Sequence, residues 1–268
     1  MPLDDKKTNR YAAIIESIFF SKYKSGDTEV PFKRDDLLEA ARKLKLVLPS
    51  NIGDAIYSIR YRAPMPERIL STQPPGKEWT IEGQGRALYC FRLDDINRIV
   101  PNRQLTAIKL PDATPEIVSA YALSDEQALL AKVRYNRLLD IFLGIATYSL
   151  QNHLRTTVQD IGQVEIDELY VGVDKRGCQF VLPVQAKGGR DQLSAIQAKQ
   201  DIACCREKFP GLVCRPISAQ FITDNLIALF ELTQEGHEIK IAEERHYCLV
   251  PAEQISKDEL AQYALRTP

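Results

Sequence analysis

The segment QVEIDELYVGVDKRGCQFVLPVQAK, from Gln163 to Lys187, constrains this chain more than any other. It reads as two strands joined by a tight turn, with acids on the first strand and Gln185-Ala186-Lys187 closing the second. Asp174-Lys175-Arg176-Gly177-Cys178 suits a three-residue hairpin loop with Gly177 in the left-handed conformation. If Asp174 pairs with Cys178, then Asp167 lies opposite Gln185 and Glu165 opposite Lys187. Strand alternation then puts all four on one face. A two-residue loop would slip the register by one and bring Glu168 to that face instead. The three-residue loop is the preferred reading.

That face would hold two carboxylates, one amide oxygen and one ammonium. Oxygen ligands of this kind suit Mg²⁺, with Mn²⁺ as a substitute, since Mg²⁺ usually keeps several waters beside one or two carboxylates. Such an ion polarises a phosphoryl oxygen, and Lys187 could orient a water or neutralise charge on phosphorus. As an ordinary polar hairpin, the same residues would give only cross-strand Glu–Lys pairing, worth about a few tenths of a kcal/mol. The apolar Val181, Leu182, Pro183 and Val184, followed at once by Gly188-Gly189, favour a site at the end of a buried strand.

At these residues the chain resembles the PD-(D/E)xK nuclease superfamily, and more closely its Mrr-like branch, where Gln-x-Lys replaces the commoner Glu-x-Lys. The resemblance covers about the last half of the chain. It implies that Asp167 is the metal ligand, Gln185 a weaker ligand and Lys187 the catalytic lysine. It further implies Mg²⁺-dependent hydrolysis of DNA phosphodiester bonds. No proline precedes Asp167, and a neutral Gln stands where most members carry an acid.

Around this hairpin, Arg134–Val158 reads as a long apolar helix broken by a polar stripe of Asp140, Gly144, Thr147, Gln151 and Arg155. In the resembled fold, a helix before the sheet often brings a Glu to the metal; here Gln151 or Asp140 would stand in. His153 lies beside the stripe and reads as structural. Asp191–Phe209 reads as a second helix, with Asp191 as its N-cap, Pro210-Gly211 as its end, and Gln197, Lys199, Gln200 and Asp201 on its polar side. In the resembled nucleases a Gln on this helix approaches the metal or the scissile phosphate, which implies Gln197 as the accessory residue here; the other reading of this side is a solvated face. Strand-like runs follow at Leu212–Ile222, Leu226–Leu232, Glu238–Ala242 and His246–Val250.

Residues 1–95 read as a separate domain: helices over Tyr11–Lys24, Lys33–Leu44 and Asn51–Arg62, then a hairpin over Trp79–Leu93. Three helices before a β hairpin is the order of a winged helix-turn-helix. Its third helix offers Asn51, Tyr57, Ser58, Arg60, Tyr61 and Arg62 to DNA, and the wing offers Arg86. Residues 96–123, with Pro101, Pro111 and Pro115, read as a linker, and residues 124–268 as the nuclease-like domain.

The chain has 268 residues, enough for two ordinary domains, and a net charge of −1, so DNA binding would need local basic patches. No Cys-x-x-Cys occurs among the six cysteines, which argues against a structural zinc site and for reduced thiols. No leader or membrane-spanning run is read, and the expected location is cytoplasmic.

The expected fold class is α/β (α+β): a restriction-endonuclease-like mixed sheet flanked by helices, behind a small winged-helix-like domain. The expected function is a Mg²⁺-dependent endonuclease acting on double-stranded DNA in restriction or defence, as a homodimer. The alternatives are a catalytically inactive nuclease-fold regulator that binds DNA, and a protein-interaction module.

Overall fold

Apolar residues at helical and strand spacing build three hydrophobic clusters. The computed structural model describes residues 5–47, 52–61, 63–96, 98–121, 125–159, 161–188, 193–236 and 238–265. It divides into one unit of Met1–Ile96 with Thr157–Gly162, and another of Asn97–Thr156 with Gln163–Pro268.

In the first unit, α1 (Asp5–Lys22) buries Ile14, Ile15, Ile18 and Phe19 along one helical stripe. β1 (Glu29–Lys33) alternates, burying Val30 and Phe32. α2 (Arg34–Lys43) starts where the Asp36 carboxylate accepts the Lys33 N–H at 2.7 Å. α3 (Gly53–Tyr61) and the short α4 (Glu67–Leu70) follow, and then β2 (Lys77–Gly83) and β3 (Leu88–Asp95). The three strands form an antiparallel sheet in the order β1-β3-β2. Phe19 packs edge-on against Trp79 and Phe91, with ring centroids 5.0 and 5.1 Å away, tying α1 to that sheet.

The second unit opens with β4 (Arg98–Ile99), β5 (Ile108–Pro111) and α5 (Glu116–Tyr121). Residues expected to be a linker are therefore part of a fold. β5 lies parallel to the last strand of the main sheet, with Ile108 opposite Tyr247, and β4 pairs with a later two-residue strand. Apolar residues at Ile99, Ile108 and Leu110 are the reason: each packs into or against a core.

The expected long helix over 134–158 does not form. The segment gives α6 (Asp125–Tyr135), α7 (Leu138–Leu143) and then a strand, β6 (Ala146–Val158). Arg137 and Gly144 take left-handed backbone (φ 50° and 66°), which ends helical propagation twice. Asp140 then seals the α7–β6 turn: its two carboxylate oxygens accept the Thr147 N–H at 2.9 Å and the Thr147 hydroxyl at 2.8 Å. Beyond the turn, the β-branched and aromatic Thr147, Tyr148, Thr156, Thr157 and Val158 suit an extended chain.

β7 (Gly162–Val173), β8 (Gln179–Lys187), β9 (Leu193–Ser194), α8 (Ala195–Lys208), β10 (Val213–Cys214), β11 (Ile217–Thr223), β12 (Leu226–Glu235), β13 (Glu238–Val250) and α9 (Lys257–Leu265) complete the chain. The runs at 238–242 and 246–250 are one strand, β13, with a register shift opposite it between Glu231 and Leu232. The main sheet has the order β5-β13-β12-β11-β8-β7-β6, with β10 also on β8. It is mixed: β8 and β11 run parallel through the α8 crossover, whereas β11–β12, β12–β13 and β7–β8 are antiparallel. Both of its faces are covered. Leu182, Val184 and Ala186 share one core with Leu129, Leu138 and Phe142 from α6 and α7. Ala228, Phe230 and Leu232 share another with Ala198 and Ile202 from α8.

The hairpin takes the three-residue loop. Asp174 N–H donates to Cys178 O at 3.1 Å, Gly177 N–H donates to Asp174 O at 3.0 Å, and Gly177 has φ 83°. The ladder runs from Val173 opposite Gln179 to Glu168 opposite Val184. A β-branched residue at 177 would be forced into left-handed backbone, costing about 1–2 kcal/mol. Gly177→Val is therefore expected to lower the unfolding free energy measured by chemical denaturation by that amount, while Gly211→Val, where φ is not in the left-handed range and space is open, leaves it near wild type.

Candidate functional site

Continuing the observed register past Glu168–Val184 brings Asp167 to Gln185 and Glu165 to Lys187. At that point the carboxylate of Asp167 takes over from the backbone: Oδ2 accepts the Ala186 N–H at 2.9 Å. Val184 and Ala186 belong to the α6–α7 core, so alternation turns Gln185 and Lys187 toward α8. The contact with α8 is direct. Gln185 Nε2 donates to the two oxygens of Asp201 at 3.0 and 3.3 Å, and to the Glu165 carbonyl at 3.0 Å.

Burial raises the Asp167 carboxyl above the usual carboxylate range, and nearby Glu165 adds to the shift; the Lys187 charge, the Ala186 N–H and His153 oppose it. Asp201 is 2% exposed, and burial pushes its carboxyl well up, against the hydrogen bond from Gln185 and with Asp167 adding to the rise. Lys187 makes no ion pair or hydrogen bond among the described residues; its charge acts on both aspartates through space.

The donors fit a hard cation that keeps most of its waters. Asp167 Oδ1 and Gln185 Oε1 accept no hydrogen bond among the described residues, so one carboxylate oxygen and one amide oxygen are open to it. No three His, Cys, Asp or Glu side chains converge on a metal cage among the described residues, so protein carboxylates alone would not surround an ion. Glu165, expected as a further ligand, ion-pairs with Arg155 of β6 at 2.9 Å.

Glu168 lies on the other face. It is fully buried, and its Oε1 accepts from Arg134 Nε at 2.9 Å, Arg134 Nη2 at 2.6 Å and the Ser149 hydroxyl at 2.8 Å. The slipped register that would have brought Glu168 to Gln185 is thereby excluded. Asp140 and Gln151, expected as helix-borne accessories, are not placed for that role. Asp140 closes the α7–β6 turn and ion-pairs with Arg137, and Gln151 is exposed on strand β6.

On α8, the observed N-cap is Ser194, whose hydroxyl accepts the Gln197 N–H at 3.3 Å; the expected cap, Asp191, lies outside the described residues. Gln197 sits half-buried in the first turn, and Asp201, one turn on, is the residue that meets Gln185. His153, read from the sequence as structural on a helix, lies instead on β6, with left-handed backbone (φ 48°), near enough to Asp167 to favour the charged form of that carboxyl.

In the first unit, the residues expected to face DNA divide. Ser58 is 4% exposed and buried in α3, and Arg60 turns back to donate to the Ile81 carbonyl at 2.6 Å. Neither faces a groove. Tyr57 is half-buried and Arg86 exposed in the β2–β3 turn. Asn51 and Arg62 lie outside the described residues.

Removing Arg134 leaves Glu168 as an uncompensated buried charge, so Arg134→Met is expected to destabilise by ~3–5 kcal/mol in urea melts, with Glu168→Gln recovering most of the loss in the double variant. Asp201 and Asp167 have folded-state values above their unfolded ones. Their protonated forms stabilise the fold at low pH, and that contribution is lost as pH rises through the folded-state value. Asp201→Asn is accordingly expected to melt at higher temperature than wild type at pH 7, with the gain vanishing toward about pH 4. Comparison of the chain with family models, with curated proteins and with solved structures gives no match.

Proposed function

We propose that this protein is a metal-dependent endonuclease that hydrolyses DNA phosphodiester bonds at Asp167, Gln185 and Lys187, on a restriction-endonuclease-like sheet. The observation that carries this reading is the register. It brings an aspartate, an amide oxygen and an uncommitted lysine together where β7 and β8 part, on the face covered by α8. Asp167 Oδ1 and Gln185 Oε1 would hold Mg²⁺ or Mn²⁺, which when bound supplies Lewis acidity toward a phosphoryl oxygen. Lys187 makes no ion pair or hydrogen bond among the described residues, and its charge acts on Asp167 through space. It is suited to orienting the attacking water and to countering negative charge that builds on phosphorus. Cutting both strands of a duplex requires two such sites, hence a homodimer in restriction or defence.

The first unit is proposed as a winged-helix-like DNA-binding domain, on its element order α1-β1-α2-α3-α4-β2-β3 and three-stranded antiparallel sheet. Arg86 in the wing turn and Tyr57 on α3 remain its candidate contacts, since Ser58 and Arg60 are turned inward. No described helix is long and apolar enough to cross a membrane.

A second reading, a nuclease-fold regulator that binds DNA without cutting it, is favoured by one feature: the position at 185 is neutral, and its amide nitrogen is bound to Asp201. Supercoiled plasmid separates the two. With Mg²⁺ or Mn²⁺ the wild type is expected to nick it, and Lys187→Ala or Asp167→Ala to lose at least about 100-fold in rate. Salt-dependent DNA binding without nicking, across several DNA substrates, would establish the regulator; no binding at all would end both readings.

A further inference from the structure

A glutamine in a cation site has a difficulty that a glutamate does not. Its two ends have nearly the same shape, but only the oxygen can ligate a cation; the NH₂ end repels it. A Gln at position 185 therefore needs something to choose which end faces the site. Asp201 meets that need. It is 2% exposed, in the second turn of α8, and receives Gln185 Nε2 at 3.0 and 3.3 Å. The Glu165 carbonyl takes the same nitrogen at 3.0 Å, so both amide hydrogens have acceptors on the protein side. The only polar atom of the side chain left for a ligand is Oε1.

We infer that Asp201 is the positioning residue of Gln185, a buried acceptor on α8 that fixes the amide with its oxygen toward the Asp167 side. The acid missing from position 185 is thus present one layer back, bonded to the amide rather than to the ion. An acceptor oxygen is what the role demands, not a negative charge. An asparagine at 201, offering Oδ1, can fill it; an alanine or leucine cannot. The consequence for cation affinity rests on the proposed reading of Asp167 and Gln185 as a cation site. The orientation of the amide does not.

The two parts separate by experiment on the full-length chain. In ¹⁵N-labelled wild type and Asp201→Asn, the Gln185 side-chain amide, assigned by its loss in Gln185→Ala, is expected as two resolved, slowly exchanging proton signals. In Asp201→Ala both signals remain, but the proton that pointed at Asp201 exchanges rapidly with solvent while the one on the Glu165 carbonyl stays slow; if that variant is unfolded, Asp201→Leu, which fills the space without an acceptor, takes its place. Titration with Mn²⁺, followed by the EPR signal of the free ion, is expected to show Asp201→Asn within about threefold of wild type and the alanine or leucine variant weaker by about tenfold or more, as for loss of an outer partner of a metal ligand. An unaltered Gln185 amide in the alanine or leucine variant overturns the proposal. So does Asp201→Asn binding as weakly as Asp201→Ala, which would make Asp201 itself the ligand. Wild type that binds no Mn²⁺ but shows the expected amide behaviour would remove the cation site and leave the positioning role standing.

Discussion

The register of one hairpin decides the chemistry available to this chain. Glu165, Asp167 and Glu168 lie within four residues on β7, and side chains on a strand alternate between faces, so a slip by one residue would exchange Asp167 for Glu168 beside Gln185. What prevents the slip lies seven residues from Asp167, in the turn. Asp174 accepts the N–H of Arg176 at 2.8 Å and of Cys178 at 2.9 Å, and Gly177 supplies the left-handed step that a three-residue loop needs. Local backbone chemistry in an exposed turn thereby fixes which carboxylate faces α8.

The two neighbouring acids then meet opposite surroundings. Glu168 enters the α6–α7 side fully buried and receives a guanidinium from Arg134, an arrangement that neutralises it and ties α6 to the sheet. Asp167 enters the α8 side with a backbone N–H as its one direct partner among the described residues and with Lys187 acting from a distance. The charge of Glu168 is neutralised by a fixed cation. An acid held in a buried place by one N–H retains affinity for a positive ligand, and burial strengthens that affinity because water competes less. The asymmetry between positions 167 and 168 is the physical reason for placing function at one and structure at the other.

The hairpin was legible in the sequence because everything that fixes it is local: the turn residues, the alternation and the spacing to Gln185. Elements α1, α2, α3, β2 and β3 were legible for the same reason, within a few residues at their ends. The segment 134–158 was not. Its run of Leu, Ile and Phe has the density of a buried helix, and periodicity alone does not separate that from a short helix followed by a strand. The break depends on Arg137 and Gly144 adopting left-handed backbone and on Asp140 closing onto Thr147, a contact visible only once the turn exists. Asp201 was visible as a polar residue on α8, but its role depends on a parallel crossover that lays that helix over β8, information no local pattern carries. Ser58 and Arg60 were misjudged in the same way: helical spacing shows which residues share a face, and tertiary packing decides whether that face looks outward.

The strand that replaced the expected helix changes what surrounds the site. A helix there was expected to bring a further acid or amide to the metal; β6 instead brings hydrogen-bond donors and cations to the acids of β7. Ser149 donates to Glu168, Arg155 pairs with Glu165, and His153 lies close enough to favour the charged form of Asp167. Left-handed backbone at His153 interrupts the alternation of β6 between Ser149 and Arg155, which meet acids on opposite faces of β7. Each acid of β7 thus has its own neighbour on the edge strand, and the strength of the pairing is graded. Glu168 is bound tightly and buried, Glu165 is bound at the surface, and Asp167 meets β6 only through the nearby His153, its direct bond being to the Ala186 N–H of β8. Arg134 from α6 with Ser149 and Arg155 from β6 thus engage two of the three acids, and Asp167 is the one left without a side-chain partner within hydrogen-bond reach among the described residues.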